Sequence, residues 1–221
     1  EHKLSRPVVP SAVEIDSKNF KISANTEQAD NTAHNEGPVK YAFDKNPNTI
    51  WHSSYNPMFT VSADNPAEIT IDMGKSYTIN QFSYLQRPAG GNNGKVQKYN
   101  LYVKSNQADK WKKIVTDGTF ADKQELRKVT FDEVEAQYVK FEVTQGFGNF
   151  ATAAELAVYQ KASDFSKLQK AMDEAEKLDR TKYLEVYYSN IDQLCEEAEE
   201  LPKDFMTEQA KIDALTEQLQ K

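Results

Sequence analysis

Most of the groups that make chemistry visible in a sequence are scarce here. One cysteine in 221 residues, Cys195, excludes an internal disulfide. It falls on an apolar stripe of a helical stretch, so we expect a buried thiol packing as a small hydrophobe, not a nucleophile. The histidines are His2, His34 and His52, and no two have the spacing of a zinc site. G-x-S-x-G elbows, phosphate-cradling glycine loops and dinucleotide fingerprints are all missing. A pair of carboxylates in a cleft would suffice for glycoside hydrolysis, and their separation is not legible in sequence. No apolar run approaches the roughly 18–20 residues of a membrane span. No signal-peptide pattern is present. The chain starts "EHKLSRPVVPS" without a methionine and stops at "LTEQLQK". It reads as a segment of something longer. Excess positive charge is lacking too: a net charge of −7 argues against a nucleic-acid partner.

The charge is unevenly spread. Residues 164–221 hold 8 basic and 15 acidic side chains, while residues 1–163 hold 19 of each. That break marks two physically different modules. From about Ile22 to Tyr159 the apolar period is two. Ile69, Ile71 and Met73 alternate in "EITIDM", Tyr99, Leu101 and Val103 in "KYNLYVK", and Val139, Phe141 and Val143 in "QYVKFEV"; "ELAVY" closes the series. Alternation means one buried and one wet face, as in antiparallel sheets. Turn signals such as "PAGGNNG" and "TDGTFADK" separate the runs, so we expect an all-β sandwich.

From Asp164 the period becomes helical. Leu168, Met172, Ala175 and Leu178 form one stripe. Tyr183, Tyr187, Ile191, Leu194 or Cys195, and Ala198 form a second. Ala210, Leu215 and Leu219, preceded by Phe205, form a third. Pro202 and a Thr207 cap mark the last break. The expected organisation is a flexible leader over 1–16, a β-sandwich over 17–160 and a three-helix antiparallel bundle over 161–221. "QKASD" is a short linker at the junction.

One stretch poses the functional question. In "FDKNPNTIWHSS", Asp44, Asn46 and Thr49 offer hard oxygens within six positions. Calcium takes roughly six to eight oxygens, whereas zinc prefers nitrogen and sulfur. Asp44 and Asn46 before Pro47 also make an ordinary turn. Trp51 is expected in the core, since an indole at a strand start usually packs there.

"YAFDKNPNTIWHSSY", "EITIDMGKSYTINQFSYLQRPAGGNNGKVQKYNLYV" and "GNFATAAELAVY" together resemble the discoidin, or coagulation-factor type C, domain. Within it they look most like family 32 carbohydrate-binding modules of secreted bacterial glycosidases. The resemblance covers roughly residues 22–160 and implies an eight-stranded jelly-roll sandwich. It implies a structural calcium ion held by Asp44, Asn46 and Thr49, the carbonyls of Phe43 and Ala154, and the carboxylate of Glu155. One departure is Lys45, where the family usually has glycine; a positive φ there would strain a lysine.

The resemblance also implies a galactose-type sugar site on loops at one end. His52, Arg87 and Asn92 would hydrogen-bond hydroxyls, Phe150 would stack on the ring, and Glu36 would add an acidic contact. Phe147 is the alternative platform, and Asn93 shares the Gly-rich turn with Asn92. "LQKAMDEAEKLDRTKYLEVYYSNIDQLCEEAEEL" and the following helix resemble the FIVAR repeat of Gram-positive surface proteins, implying a spacer or protein-contact role.

The expected function is therefore non-catalytic binding of terminal galactose or N-acetylgalactosamine. It would serve a larger secreted or cell-wall-attached bacterial glycosidase, with the chain itself monomeric. The alternatives are a protein adhesin acting through the bundle, a hydrolase in its own right, and a phospholipid-binding discoidin domain. The last needs large apolar spikes, and the loop "PAGGNNG" is small and polar.

Overall fold

A computed structural model of the chain describes residues 12–182, 185–200 and 209–221. These form two compact units, Glu14–Lys161 and a helical one containing Ala162–Lys221. The strands are β1 (Ala12–Glu14), β2 (Lys21–Ala24), β3 (Glu36–Gly37), β4 (Ile50–His52), β5 (Ala67–Leu85), β6 (Val96–Lys104), β7 (Lys112–Thr119), β8 (Leu126–Gly146), β9 (Thr152–Ala153) and β10 (Glu155–Lys161). Ten strands stand where eight were expected among the described residues, because several ladders are only two or three residues long. One sheet runs β1-β10-β5-β8-β6-β7, with β2 also on β5; a small sheet runs β3-β4-β9.

Two long strands turn this ladder into a sandwich. The first half of β5 pairs with β2 and with the second half of β8; its second half pairs with β10 and the first half of β8. The register slips between Asp72 and Tyr77. There Gly74 takes φ 81°, a conformation that glycine adopts without a Cβ clash, and its N–H donates to Asp72 Oδ1 at 2.8 Å. The bend lets the halves face one another. Phe82 from one half meets Phe141 from the other at 5.3 Å between ring centroids. The alternating residues Ile69, Ile71, Leu101, Phe141 and Val143 are fully buried, and Trp51 joins them with its indole N–H on the Thr26 carbonyl at 3.0 Å.

Two expectations need correction. The leader does not extend to residue 16: Ala12–Glu14 are strand, and Ile15 is buried with its N–H on the Val158 carbonyl at 2.9 Å. An apolar Ile in period with β10 has more to gain from the sheet than from water. The outward face of β6 and β8 is not simply wet. Asn100 and Glu142 are buried there, joined at 2.7 Å, with Tyr102 and Lys140 lying over them.

In the helical unit, α1 (Ser166–Glu176), α2 (Glu185–Glu200) and α3 (Gln209–Leu219) enclose Phe165, Leu168, Met172, Ala198 and Ile212. The buried stripe of α2 passes through Tyr188, not Tyr187, which is 58% exposed. Both tyrosines continue acceptably to Ile191, at i+3 and i+4, so local spacing alone does not choose between them. Cys195 is half-buried rather than buried. In α3 Ala210 is exposed and Ile212 takes the core position. Leu178, beyond the end of α1, is not buried but 39% exposed. Tyr183, Pro202, Phe205 and Thr207 lie outside the described residues.

Candidate functional site

The small sheet sets one end of the sandwich. Trp51 pairs with Ala153 and His52 with Thr152, while Glu36 runs parallel beside Ile50. His52 is therefore held by the β9 ladder on one side and by the Gln28 N–H, which donates to its carbonyl at 2.8 Å, and the Ser53 hydroxyl accepts the Ala151 N–H at 3.0 Å. The 86–95 loop closes over the same end: Thr152 N–H donates to the Gly94 carbonyl at 2.9 Å and Gly94 N–H to the Phe147 carbonyl at 2.8 Å. Gly94 has φ 84°, and a Cβ there would sit 2.3 Å from Thr152 Cγ2. Only glycine lets this loop approach so closely.

These elements frame a cleft of about 550 Å³ lined by Glu36, His52, Arg87, Asn92, Phe150 and, beyond the expected five, Tyr55, Asn93, Phe147 and Gly91. Positions separated by more than a hundred residues in sequence are thus brought together. His52 Nδ1 lies 2.6 Å from the Ser53 carbonyl, which can only accept. The proton of the neutral ring is therefore on Nδ1, leaving Nε2 as an acceptor. Burial pushes the His52 pKa below its ordinary value; the Arg87 charge acts the same way, against the Ser53 carbonyl and Glu36. The ring meets Phe150 at 5.4 Å and Tyr55 edge-on at 5.1 Å.

Arg87 Nη1 donates to the Asn93 carbonyl at 2.7 Å, and its Nε is buried with no hydrogen-bond partner among the described residues. The guanidinium lies against Gly91, where a Cβ would stand 2.4 Å from Nη2. Tyr55 donates to Glu36 Oε1 at 2.9 Å and accepts from Asn31 Nδ2 at 3.1 Å. Phe147 is 46% exposed and Phe150 half-buried, so both leave ring surface open. The cleft thus offers a neutral acceptor, a fixed cationic donor, a carboxylate, amides and two phenyl faces.

A second cluster surrounds Asp44. Its Oδ1 accepts from Asn46 N–H at 2.9 Å and its Oδ2 from the Thr49 hydroxyl at 2.7 Å. Glu155 belongs to this cluster, 111 positions away in sequence. Its pKa is pushed up to about 7, first by burial and then by the Asp44 carboxylate beside it. Glu155 Oε1 is buried without a partner among the described residues. Two acids in contact and an orphaned buried oxygen are a donor set suited to a hard cation. No three His, Cys, Asp or Glu side chains cluster as metal ligands among the described residues. This set instead mixes two carboxylates with amide, hydroxyl and carbonyl oxygens. Lys45 has φ 62° and its ammonium pairs with Glu14.

The model of one family, the F5/8 type C domain, matches residues 21–156. The chain belongs to this family.

Among solved F5/8 type C-like structures, CpGH89CBM32-5 from Clostridium perfringens, in complex with GalNAc-beta-1,3-galactose, is 39% identical. It superposes with a TM-score of 0.59 over 66% of this chain and 99% of that one. The family 32 carbohydrate-binding module of C. perfringens NanJ, in complex with galactose, is 29% identical with a TM-score of 0.57, over 67% and 99% of the two chains. An A type blood N-acetyl-alpha-D-galactosamine deacetylase from Flavonifractor plautii is 36% identical over 125 residues, 56% of this chain and 15% of its own length. The chain spans only 15–22% of the curated relatives it matches.

In this F5/8 type C domain the residue that sequence reasoning missed is Tyr55. Its place depends on the buried Gln28, whose Oε1 accepts from Tyr55 N–H at 2.9 Å and Asn56 N–H at 3.1 Å. The only available signal was its position three residues after His52.

Proposed function

We propose that the β unit binds terminal galactose or N-acetylgalactosamine on glycans without acting on them, and so brings a larger secreted or surface-attached glycoside hydrolase to its substrate. The observation that carries this reading is the convergence of Glu36, His52, Arg87, Asn92 and Phe150 on one cleft. A galactose-type sugar has a polar edge with an axial hydroxyl and an apolar C–H face. His52 Nε2, Arg87 and Asn92 match the edge; Phe150, or the neighbouring Phe147, matches the face. The sugars held by the two Clostridium modules support the same assignment. Glu36 is the one acid among the residues lining the cleft, whereas two-carboxylate hydrolysis needs a pair. Affinity for a single sugar is expected at about 10⁻⁴–10⁻³ M. Tethering to an enzyme would raise its effective concentration on glycan-rich surfaces.

A calcium ion held by Asp44, Asn46, Thr49, Glu155 and the carbonyls of Phe43 and Ala154 is part of this reading. It would act as a staple, because it ties a loop to a strand far away in sequence. The helical unit is read as a FIVAR-like spacer.

A second reading, protein contact through the helical unit, is favoured by a groove of about 960 Å³ lined by Leu178, Tyr187, Ile191, Leu194 and Leu219 among others. Deleting residues 164–221 separates the two, since sugar binding should survive and partner binding should not.

Calorimetric titration with galactose, N-acetylgalactosamine and glucose, on wild type and on His52→Ala with Arg87→Ala, tests the main proposal. Heat with the galacto sugars only, lost in the double variant while the fold is retained, is the expected result. Equal binding by the double variant would sink it.

A further inference from the structure

The outer face of the large sheet carries a pattern that neither the cleft nor the Asp44 cluster uses. Leu101, Val103, Val139 and Phe141 point into the core, so alternation turns Tyr102, Lys104, Tyr138 and Lys140 away from it. Register then sorts these by chemistry. Tyr102 stands opposite Lys140 on β8 and Lys113 on β7, and Lys104 stands opposite Tyr138. Trp111, just before β7, completes a row in which ammoniums and rings alternate. Lys113 lies 5.1 Å and Lys140 4.5 Å from the centroid of Tyr102. Lys140 lies 5.5 Å and Lys104 4.9 Å from that of Trp111, and Lys104 5.1 Å from that of Tyr138. These are cation–π distances.

The row holds more positive charge than it cancels. Glu68 and Glu142 both turn to Lys140, at 2.8 and 3.9 Å. Asp72 accepts from the Gly74 N–H and from Gln137. Asp109, in the neighbouring turn, accepts from Asn106. Lys104 gives a hydrogen bond to the Gln107 carbonyl but keeps its charge. Lys110 and Lys112 flank Trp111 and are exposed, as is Lys113. None of these four lysines makes an ion pair among the described residues.

Strand β7 is the last of its sheet, and lysines at an edge discourage strand pairing. That role needs charge alone. It does not need rings that fix where the ammoniums stand. A lysine loses rotamer freedom when a ligand fixes its head. Here the rings have already set the heads in line, which lowers the cost of binding. Preordered cations in a row fit a linear anion. Duplex DNA, with a charge about every 1.7 Å, would also press phosphates against Glu68 and Glu142. A glycan carries its charges farther apart, with hydroxyls between them.

We propose that this sheet face binds an acidic glycan, bearing sulfate or carboxylate groups along its chain, through Lys104, Lys110, Lys112 and Lys113 around Trp111. The face uses no residue of the cleft around His52. Composition alone would argue against such a ligand, because the whole chain has a net charge of −7.

Calorimetric titration of the whole chain at low salt tests this with dextran sulfate, carboxymethyl dextran, neutral dextran and a short DNA duplex. These glucose polymers keep a galactose-type site out of the measurement. The variants are Lys104→Gln with Lys113→Gln, Trp111→Leu, and Lys167→Gln with Lys170→Gln as a control of equal charge in the helical unit. One or both acidic dextrans should bind wild type and weaken with added salt, and neutral dextran should not bind. Lys104→Gln with Lys113→Gln should weaken binding roughly fivefold to tenfold, and the control by less than about twofold. Trp111→Leu keeps every charge and should still weaken it roughly threefold, which charge alone would not do. Where circular dichroism shows a variant to be misfolded, Lys113→Gln alone, at an exposed position, takes its place. No binding of either acidic dextran, an equal loss in the control, or tighter binding of DNA than of the dextrans overturns the proposal. None of these outcomes touches the cleft.

Discussion

The two units solve the problem of stability differently. Among the described residues the β unit buries a continuous core of twenty-four side chains, whereas the helical unit closes over five. Strands β5 and β8 tie distant parts of the β unit together, and both candidate sites are built by such long-range meetings: His52 with Phe150, Asp44 with Glu155. Rigid geometry from far-apart residues is what a specific site needs. The helical unit has a small core and an acidic surface that keeps it solvated, properties that suit a spacer.

The widest gap should appear when each core is cut. Phe141→Ala removes a fully buried ring and should destabilise the β unit by about 3–5 kcal/mol. Both tryptophans, Trp51 and Trp111, lie in that unit, so fluorescence during urea unfolding reports on it alone. Leu168→Ala should instead erode the helical circular dichroism signal and leave the tryptophan transition in place. A tryptophan transition displaced by Leu168→Ala would mean that the units do not differ in the way drawn here.

Calcium should sharpen the contrast next. An ion that binds only the folded β unit adds about 2.7 kcal/mol at a hundredfold excess over its Kd. The tryptophan transition should rise by that order and fall with a chelator or with Asp44→Ala; the helical signal should not respond. Indifference to chelation would reduce Asp44 and Asn46 to a turn before Pro47.

Acid should act on the cleft and spare the helices. Burial disfavours the His52 imidazolium, so the folded pKa lies below the ordinary 6.5. The unfolded chain then takes the proton more readily. The stability contributed by neutral His52 is complete above about pH 6.5 and is lost as the pH falls through the folded value. Galactose affinity should be level from pH 8 to 6.5 and drop by roughly fivefold below, as Nε2 stops accepting a hydroxyl. Glu36, Arg87 and Tyr55 face this ring and remain in His52→Gln, which should flatten the profile. A drop that survives His52→Gln would assign it to another group.

These contrasts also explain what could be read in advance. Period-two alternation is a local property, and Ile69, Leu101 and Phe141 are buried where it placed them. A helical stripe is local too, yet Tyr187 and Tyr188 are a hundred degrees apart on α2 and both suit Ile191, so only the packed unit chooses. The cleft is a property of topology. Nothing near Arg87 in the chain announces Glu36 or Phe150, and these came into view together through the family pattern. Tyr55 stayed hidden, because its seat on the Gln28 side chain, 27 positions away, is settled by the fold.

Lys45 offers the smallest and cleanest cut. It stands at φ 62°, where a Cβ crowds the carbonyl oxygen and a non-glycine residue costs roughly 1–2 kcal/mol. Its ammonium pairs with Glu14, but both side chains are well exposed and such pairs contribute little, about 0–1 kcal/mol. Lys45→Ala therefore loses the pair and keeps the strain; Lys45→Gly loses the pair and relieves it. Glycine should be the more stable of the two variants by about 1 kcal/mol in the tryptophan transition, even though its unfolded chain is freer. The two should be alike in the helical signal. If alanine equals glycine, the loop has moved out of the left-handed region to suit its lysine, and the geometry assigned to the Asp44 cluster would move with it.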